Sequence, residues 1–346
     1  MRVKLFPLDT WGCGHYRMYW PAAAVAELEG HGFDDVSIVA PDERRVAIKL
    51  GWDGRVAGEG FPAEAGDVVV FQRPSPLFIP DAIRLLKARG VKVVVDMDDD
   101  LAAIHPGSIA WRSYHPKTSN GHSWHAVTES CRLADLVTVT TPQLARRYGA
   151  HGRVAILPNV VPDSYLDADH PDSTMIGWSG TVATHVGDLQ RVGPAIATLV
   201  RSGVTFATVG PPDGVAKDLG LSSQPRSSGP VSIDQYPSTV AQFGIGIAPL
   251  ARSIFNEAKS RLKPLEYSAL GVPWVGTPTE DYRLFHEQTG VGQLAERPKD
   301  WLRCLKRLVN DDEFRLEQSS KGREAARAHT FSATAWRWAE AWASLC

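Results

Sequence analysis

A short basic segment in the second half of the chain combines residue types that could bind a diphosphate. Lys259, Arg261 and Lys263 stand at the start of a stretch with helical spacing, for which we predict an N-cap at Ser260 and a length of about ten residues. A helix N-terminus carries unpaired N–H groups and about half a positive charge, so it favours an anion. Glu266, one turn further on, could accept hydrogen bonds from two ribose hydroxyls. An ordinary surface helix is the alternative.

A concentration of carboxylates follows the apolar run Val93–Val95. Asp96, Asp98 and Asp100 would alternate to one side if the chain stays extended. Asp99 stands among them, and crowded carboxylates need a cation, a shared proton or hydrogen-bond donors. Three interpretations stay open. They are capping of the next helix, the D-x-D motif of a haloacid-dehalogenase-type phosphatase, and a cluster that faces a cleft, where a divalent metal could bind Asp96, Asp98 and Asp100.

Short β-branched runs alternate with helical stretches in both halves of the chain. Continuous apolar strands separated by helices are typical of a parallel sheet covered on both faces. In the first half we predict strands at Val3–Leu8, Val36–Ala40, Asp67–Phe71, Val91–Val95, Leu136–Thr140 and Val154–Leu157. The pattern restarts with strands at Met175–Trp178, Val204–Val209, Gly244–Ala248 and Val272–Gly276.

The repeated pattern predicts an α/β protein with two Rossmann-like, doubly wound parallel-sheet domains that face a cleft. Pro158–Asp163 has the composition of a linker. We therefore place one domain at residues 1–160 and a second at residues 161–328. Residues 329–346 carry an apolar stripe at helical spacing, and we expect this helix to pack back towards the N-terminal domain.

Composition narrows the class of protein. The 346 residues suit two domains, and a formal net charge of -2 gives no global basic field for nucleic acid or an anionic membrane. The 4 cysteines form no CxxC pair, which favours reduced thiols and a cytoplasmic protein. No apolar run approaches the roughly 20 residues that span a bilayer.

The segment Phe255–Pro273 resembles the donor-binding motif of the GT4-like glycosyltransferases, a family with the GT-B fold. One subgroup reads F-N-x-x-K-S-x-x-K-x-L-E-Y-x-A-L-G-x-P, and this chain matches it nearly throughout. The resemblance implies that Glu266 holds the ribose and that the loop and helix start, from Lys259 to Lys263, hold the phosphates. The commoner family pattern has a further Glu where this chain has Ala258, so no role is transferred to that position.

A glycine-containing segment, Gly177–Leu189, is similar to the S-G-T-x-x-x-H-x-x-D loop that opens the family's second domain. The resemblance implies that Ser179, Gly180 and Thr181 approach the diphosphate, since a glycine lets backbone N–H groups come close. His185 would stand behind them.

The N-terminal loop Gly12–Met18 is similar to the family's G-x-G-x-Y-R loop, which places Gly14 and Arg17 on the side of the donor phosphates. As a dinucleotide fingerprint the spacing fails, because the third glycine would fall at Arg17. A salt-bridged Arg17 at a helix start is the alternative.

Together these matches imply a glycosyltransferase that moves a sugar from a UDP-sugar or GDP-sugar to an acceptor hydroxyl, with retention of anomeric configuration and no required cofactor. Residues 1–160 would serve the acceptor and residues 161–328 the donor. Lys263 and His185 would stabilise the departing diphosphate, and Asp98 or Asp99 would position or deprotonate the acceptor. The sequence does not indicate whether the acceptor is a glycan, a protein, a lipid or a modified nucleic acid.

Two other functions remain open at this stage. A non-catalytic protein could bind a nucleotide sugar without turning it over. A haloacid-dehalogenase-like phosphatase could use Asp96 and Asp98, although Asp100 replaces the Thr or Val of that motif, which normally opens a chain.

Overall fold

The computed structural model describes residues 1–39, 63–118 and 122–345. The chain forms two compact units. Unit 1 comprises Met1–Ile104, Ala110–Asn159 and Phe331–Cys346, and unit 2 comprises His105–Ile109 and Val160–Thr330. Each unit holds one six-stranded parallel sheet with helices beside it, so the predicted α/β class with two parallel sheets is confirmed.

The sheet of unit 1 has the strand order β2-β1-β3-β4-β5-β6, with every neighbouring pair parallel. Strand β3 is buried at every position, as expected for a strand covered on both faces. The predicted strand at Val36–Ala40 is β2, and Ala40 lies outside the described residues. The strands are β1 (Arg2–Phe6), β2 (Asp35–Ile38), β3 (Val68–Gln72), β4 (Lys92–Met97), β5 (Leu136–Val139) and β6 (Val154–Ile156).

The helices of unit 1 follow these strands along the chain. Among the residues that the structure describes, they are α1 (Gly12–Gly14), α2 (Trp20–Ala26), α3 (Ile79–Ala88), α4 (Trp111–Tyr114), α5 (His122–Leu133) and α6 (Pro142–Tyr148). A π-helical turn, His15–Tyr19, joins α1 to α2. A short 3₁₀ turn, Leu101–Ala103, follows β4. The carboxyl ends of β1, β3 and β4 thus lead into the loops that carry the charged residues of unit 1.

The sheet of unit 2 has the order β12-β11-β10-β7-β8-β9, again parallel throughout. Its core includes the fully buried indoles of Trp178 and Trp301. The strands are β7 (Ile176–Ser179), β8 (Phe206–Val209), β9 (Arg226–Ser227), β10 (Ile245–Ala248), β11 (Trp274–Gly276) and β12 (Gln293–Leu294).

The helices of unit 2 include the one predicted to bind the diphosphate. They are α7 (Gly193–Arg201), α8 (Val215–Leu219), α9 (Tyr236–Val240), α10 (Ile254–Glu257), α11 (Leu262–Ala269), α12 (Glu280–Thr289), α13 (Pro298–Asn310) and α14 (Asp312–Arg327). Two 3₁₀ turns, Asp163–Asp167 and Leu189–Arg191, complete the unit.

The last helix, α15 (Phe331–Ala343), belongs to unit 1 and packs on α2. The rings of Phe331 and Trp20 lie 5.9 Å apart, and those of Trp342 and Phe33 lie 6.2 Å apart. The apolar stripe of this helix is therefore used to cover the first helical layer of unit 1.

Within the described ranges, no helix is both long enough and apolar enough to cross a membrane.

Candidate functional site

Helix α11 begins at Leu262, with Arg261 at the N-cap position. The prediction of Ser260 as the N-cap is therefore wrong. Asp281 fixes the turn instead, because its Oδ2 accepts a hydrogen bond from the Arg261 N–H at 2.6 Å. The helix is 8 residues long and ends as predicted before Gly271, which has a φ of 76° and occupies the left-handed C′ position.

A row of hydrogen bonds joins Lys263 to Glu266 through two intervening side chains. Lys263 Nζ lies 3.5 Å from Ser179 Oγ, and Ser179 Oγ lies 2.9 Å from the hydroxyl of Tyr236. That hydroxyl donates to Glu266 Oε2 at 2.9 Å. Glu266 is only 4% exposed, so it is not part of an ordinary surface helix. The ends of β7, α9 and α11 thus meet at one polar site in unit 2.

An aspartate–histidine pair lies beside this row. His185 Nδ1 lies 2.9 Å from Oδ2 of Asp188, which is 1% exposed. The other oxygen of Asp188 accepts hydrogen bonds from the Ala251 N–H at 2.7 Å and from Asn256 Nδ2 at 2.8 Å. Because two other donors hold Asp188 in place, it fixes the orientation of the His185 ring.

Basic side chains lie close together in this part of unit 2. Burial lowers the pKa of Lys263, and the charge of Lys259 lowers it further, while Glu266 and Asp188 oppose the change. Burial is also the main reason that the pKa of His185 is lowered, and both lysines add to that effect. These groups are close enough to repel one another. An anion bound among them would relieve that repulsion.

The loop Ser179–Thr181 is held tightly at the carboxyl end of β7. A Cβ atom at Gly180 would lie 2.7 Å from the Trp178 ring, and the φ of Gly180 is 153°. The Thr181 carbonyl accepts the His185 N–H at 3.0 Å. Only glycine fits at position 180, and this turn fixes the Ser179 hydroxyl between Lys263 and Tyr236.

Arg261 is not brought to this group of residues. Its Nη1 donates to Gln288 at 3.3 Å, and its guanidinium lies 5.5 Å from the centroid of Phe285, both on α12. Its Nε lies 3.7 Å from Asp281. The Nζ atom of Lys259 lies 4.5 Å from the centroid of the Phe255 ring. Lys259 is close enough to Lys263 and His185 for its charge to lower the pKa of both. Ser260 lies in the turn between Lys259 and Arg261.

In unit 1, Arg17 is 1% exposed and pairs with Asp96, which is 2% exposed. Nη2 and Nε of Arg17 donate to the two carboxylate oxygens at 2.7 and 3.0 Å. Nη1 donates to the Leu157 carbonyl at 2.8 Å and to Asn159 at 3.1 Å, and Thr138 donates to Asp96 at 2.6 Å. This is the salt-bridged arrangement considered for Arg17. A buried and paired Asp96 has no accessible oxygen for the attack that a phosphatase requires.

The packing of the backbone in unit 1 requires a glycine at position 14. A Cβ atom at this position would lie 2.0 Å from the Asp9 carbonyl oxygen, and the Gly14 N–H donates to Asp9 Oδ1 at 3.0 Å. The glycine is needed because the turn after β1 folds back on α1.

The remaining aspartates of the cluster bind two further arginines. Arg73, which has a φ of 41°, donates through Nε to Asp98 and through Nη2 to Asp99 at 2.8 Å. Asp100 caps the turn after β4 by accepting the Ala102 N–H at 3.2 Å, and Arg147 donates to it at 3.0 Å.

The carboxylates therefore do not converge on one cation. Strand β4 ends at Met97, so the extended alternation assumed for Asp96, Asp98 and Asp100 stops there. Each of the three pairs with a different arginine. In the part of the chain that the structure describes, no group of three His, Cys, Asp or Glu side chains could hold a metal ion. The metal site considered for these aspartates is not formed.

Sequence reasoning missed Tyr236 and Arg73. Tyr236 lies 30 positions before Glu266 and in a loop-rich stretch, so no local spacing joins the two residues. Arg73 follows strand β3 directly, where polar residues at the carboxyl end of a parallel strand are a recognisable signal of a site. That signal was present in the sequence.

No family model matches the sequence, and no curated protein matches it. Solved structures do resemble it. HepE of Anabaena in complex with UDP has a TM-score of 0.67 at 14% identity, covering 99% of this chain and 100% of that chain. WaaG, a glycosyltransferase involved in lipopolysaccharide biosynthesis, gives 0.65 at 14% identity over 99% of both chains.

Sucrose-phosphate synthase from Thermosynechococcus elongatus gives a TM-score of 0.65 at 12% identity, covering 100% of this chain and 99% of that chain. The chain spans 55% of the length of TarM of S. aureus, to which it is also similar with a TM-score of 0.56 at 15% identity. The two-sheet architecture is thus the GT-B fold, shared with glycosyltransferases. At these identities the likeness concerns the fold.

Proposed function

We propose that this protein is a glycosyltransferase that transfers a sugar from a nucleoside-diphosphate sugar to an acceptor hydroxyl. The observation that carries the proposal is the site in unit 2. There the basic side chains of Lys259, Lys263 and His185 lie beside the buried carboxylate of Glu266. The GT-B fold supports it, as does the similarity to HepE, whose structure was solved with UDP and glucose.

In this proposal the donor uses the two ends of the row described above. Glu266 accepts hydrogen bonds from the ribose hydroxyls, and Lys259 and Lys263 bind the diphosphate. The backbone of Ser179, Gly180 and Thr181 approaches the same phosphates, in the turn conformation that glycine permits at position 180. UDP and GDP are the nucleotides to test first.

Catalysis in this proposal is stabilisation of the leaving group. As the bond to the anomeric carbon breaks, negative charge grows on the distal phosphate. Lys263 stabilises that charge, and the ring of His185, whose Nδ1 pairs with Asp188, donates a hydrogen bond or proton from Nε2 when the ring is protonated. Asp98 and Asp99 are the residues proposed to position or deprotonate the acceptor hydroxyl. Retention of configuration and a cytoplasmic location are further parts of the proposal.

Arg17, Gly14, Ser260 and Arg261 play indirect parts in this scheme. Arg17 and Gly14 shape the carboxyl edge of the unit 1 sheet, since their contacts are made inside unit 1. Ser260 and Arg261 form the turn that starts α11, with Arg261 anchored to α12. Each therefore acts by holding other groups in place.

Incubating the protein with UDP-sugars and GDP-sugars labelled in the sugar tests the proposal against a binding-only protein. We expect release of the nucleoside diphosphate and transfer or slow hydrolysis of the labelled sugar. Asp98→Asn and Asp99→Asn, tested singly so that Arg73 keeps one carboxylate partner, should keep donor binding, and one of them should lose about 10²- to 10⁴-fold in transfer, the usual contribution of general-base catalysis. Tight donor binding with no release of nucleoside diphosphate, under any acceptor, would favour the non-catalytic alternative.

A further inference from the structure

The hydrogen bonds from Lys263 to Glu266 all run in one direction. A phenol has one hydroxyl proton, and Tyr236 uses it to donate a hydrogen bond to Glu266 Oε2. The Ser179 hydroxyl must then donate to the Tyr236 oxygen. The Lys263 ammonium has no lone pair and can only donate, so it donates to Ser179. The row therefore starts at a cation and ends at an anion, an arrangement in which each hydrogen bond strengthens the next.

We propose that Tyr236 is a positioning residue that sets the preference of this site for ribose over 2′-deoxyribose. This inference rests on the proposed function, in which Glu266 contacts the ribose. Tyr236 touches neither the sugar nor the phosphates in this scheme. It acts by holding the carboxylate of Glu266 in the orientation that the ribose hydroxyls require.

Two features of the site favour this role over plain packing. Burial alone favours the neutral form of a carboxyl group, and a donor directed at the carboxylate favours the charged form, which is the better acceptor for a diol. The carboxylate has about four acceptor positions, and the phenol uses one of them, at Oε2. A carboxylate whose orientation is already fixed is preorganised for the ribose donors, so less order is lost on binding.

The test is the ratio of two dissociation constants. Isothermal titration gives the Kd of UDP or GDP, whichever binds the wild type more tightly, and of its 2′-deoxy form. If the 2′-hydroxyl bonds to a charged, well-oriented Glu266, the wild type should prefer the ribonucleotide by about tenfold to hundredfold. In Tyr236→Phe this preference should fall to about threefold or less. Tyr148→Phe, which removes a buried phenol in unit 1, should leave the preference unchanged.

Ser179→Ala provides a second variant in case Tyr236→Phe does not fold. It keeps the phenol and removes the hydroxyl that donates to it, so the preference should fall by a smaller factor; the loss of the Ser179 contact with Lys263 affects the two nucleotides alike and leaves their ratio unchanged. An unchanged preference in Tyr236→Phe, or in Ser179→Ala if only that variant folds, overturns the inference and leaves the proposed function intact. A wild type that binds neither nucleotide overturns both.

Discussion

His185 Nδ1 lies 2.9 Å from Oδ2 of Asp188, and this contact directs the opposite ring nitrogen, Nε2, away from the carboxylate. Asp188 is itself held by the Ala251 N–H and by Asn256. The loop after β7 is in this way tied to α10 and to the residues just before it. Protonation of His185 at Nε2 then converts the neutral ring into a cation.

Nucleoside-diphosphate binding should take up protons through His185. Burial and the two neighbouring lysines lower the pKa of His185 below its ordinary value in the free protein, and a bound diphosphate would raise it. A group whose pKa rises on binding gains protons. Affinity should therefore increase as the pH falls through the pKa that His185 has in the complex. It should level off below the pKa that His185 has in the free protein.

Isothermal titration in two buffers of different ionisation enthalpy counts these protons. The terminal phosphate of the nucleotide also titrates, near pH 6, so the informative quantity is the difference between wild type and His185→Gln. The wild type should take up more protons than the variant. Equal proton uptake in the two proteins would mean that His185 does not sense the diphosphate.

Replacing Arg17 should reduce stability while leaving the donor site intact. Arg17→Met leaves Asp96 charged and buried, and breaking such a pair costs about 3–5 kcal/mol. Arg327→Met removes an exposed ion pair with Glu324 and should cost under about 1 kcal/mol. Urea unfolding measures both. A fully stable Arg17→Met protein with weakened nucleotide binding would instead support direct contact between Arg17 and a donor phosphate.

Adding a methyl group at Gly180 should damage the phosphate loop. The new Cβ would lie 2.7 Å from the Trp178 ring, so the loop must shift, at a cost of about 1–3 kcal/mol. Nucleotide affinity should fall with it, because Ser179 moves away from Lys263. The control is Gly12→Ala, where a Cβ meets no atom within 4 Å; it should be neutral or slightly stabilising. Unchanged nucleotide affinity in Gly180→Ala would argue against a role for this loop.

Much of the fold follows from local patterns, whereas the site depends on long-range contacts. The strands predicted at Val204–Val209 and Val272–Gly276 are β8 and β11, each shortened at its start. Strands β9 and β12 were missed because each has only 2 residues and shows no apolar run. Gly271 could be placed because a helix end has a local signature.

The start of α11 and the partner of Glu266 could not be placed in the same way. Arg261 takes the N-cap because Asp281, 20 positions later, accepts its N–H. The hydrogen bond from Tyr236 to Glu266 joins α9 to α11, and strand β10 separates these two helices along the sequence. A single sequence contains no periodic signal for either contact.

The most direct test of the central claim is the affinity of three variants for UDP and GDP. Lys263→Ala and Glu266→Ala each remove one end of the proposed donor site, and each should weaken binding by about tenfold or more, the worth of a hydrogen bond to a charged group. Lys321→Ala, which removes an exposed lysine paired with Glu317, should bind like the wild type. Wild-type affinity in both Lys263→Ala and Glu266→Ala would contradict the assignment of this site to a nucleoside diphosphate.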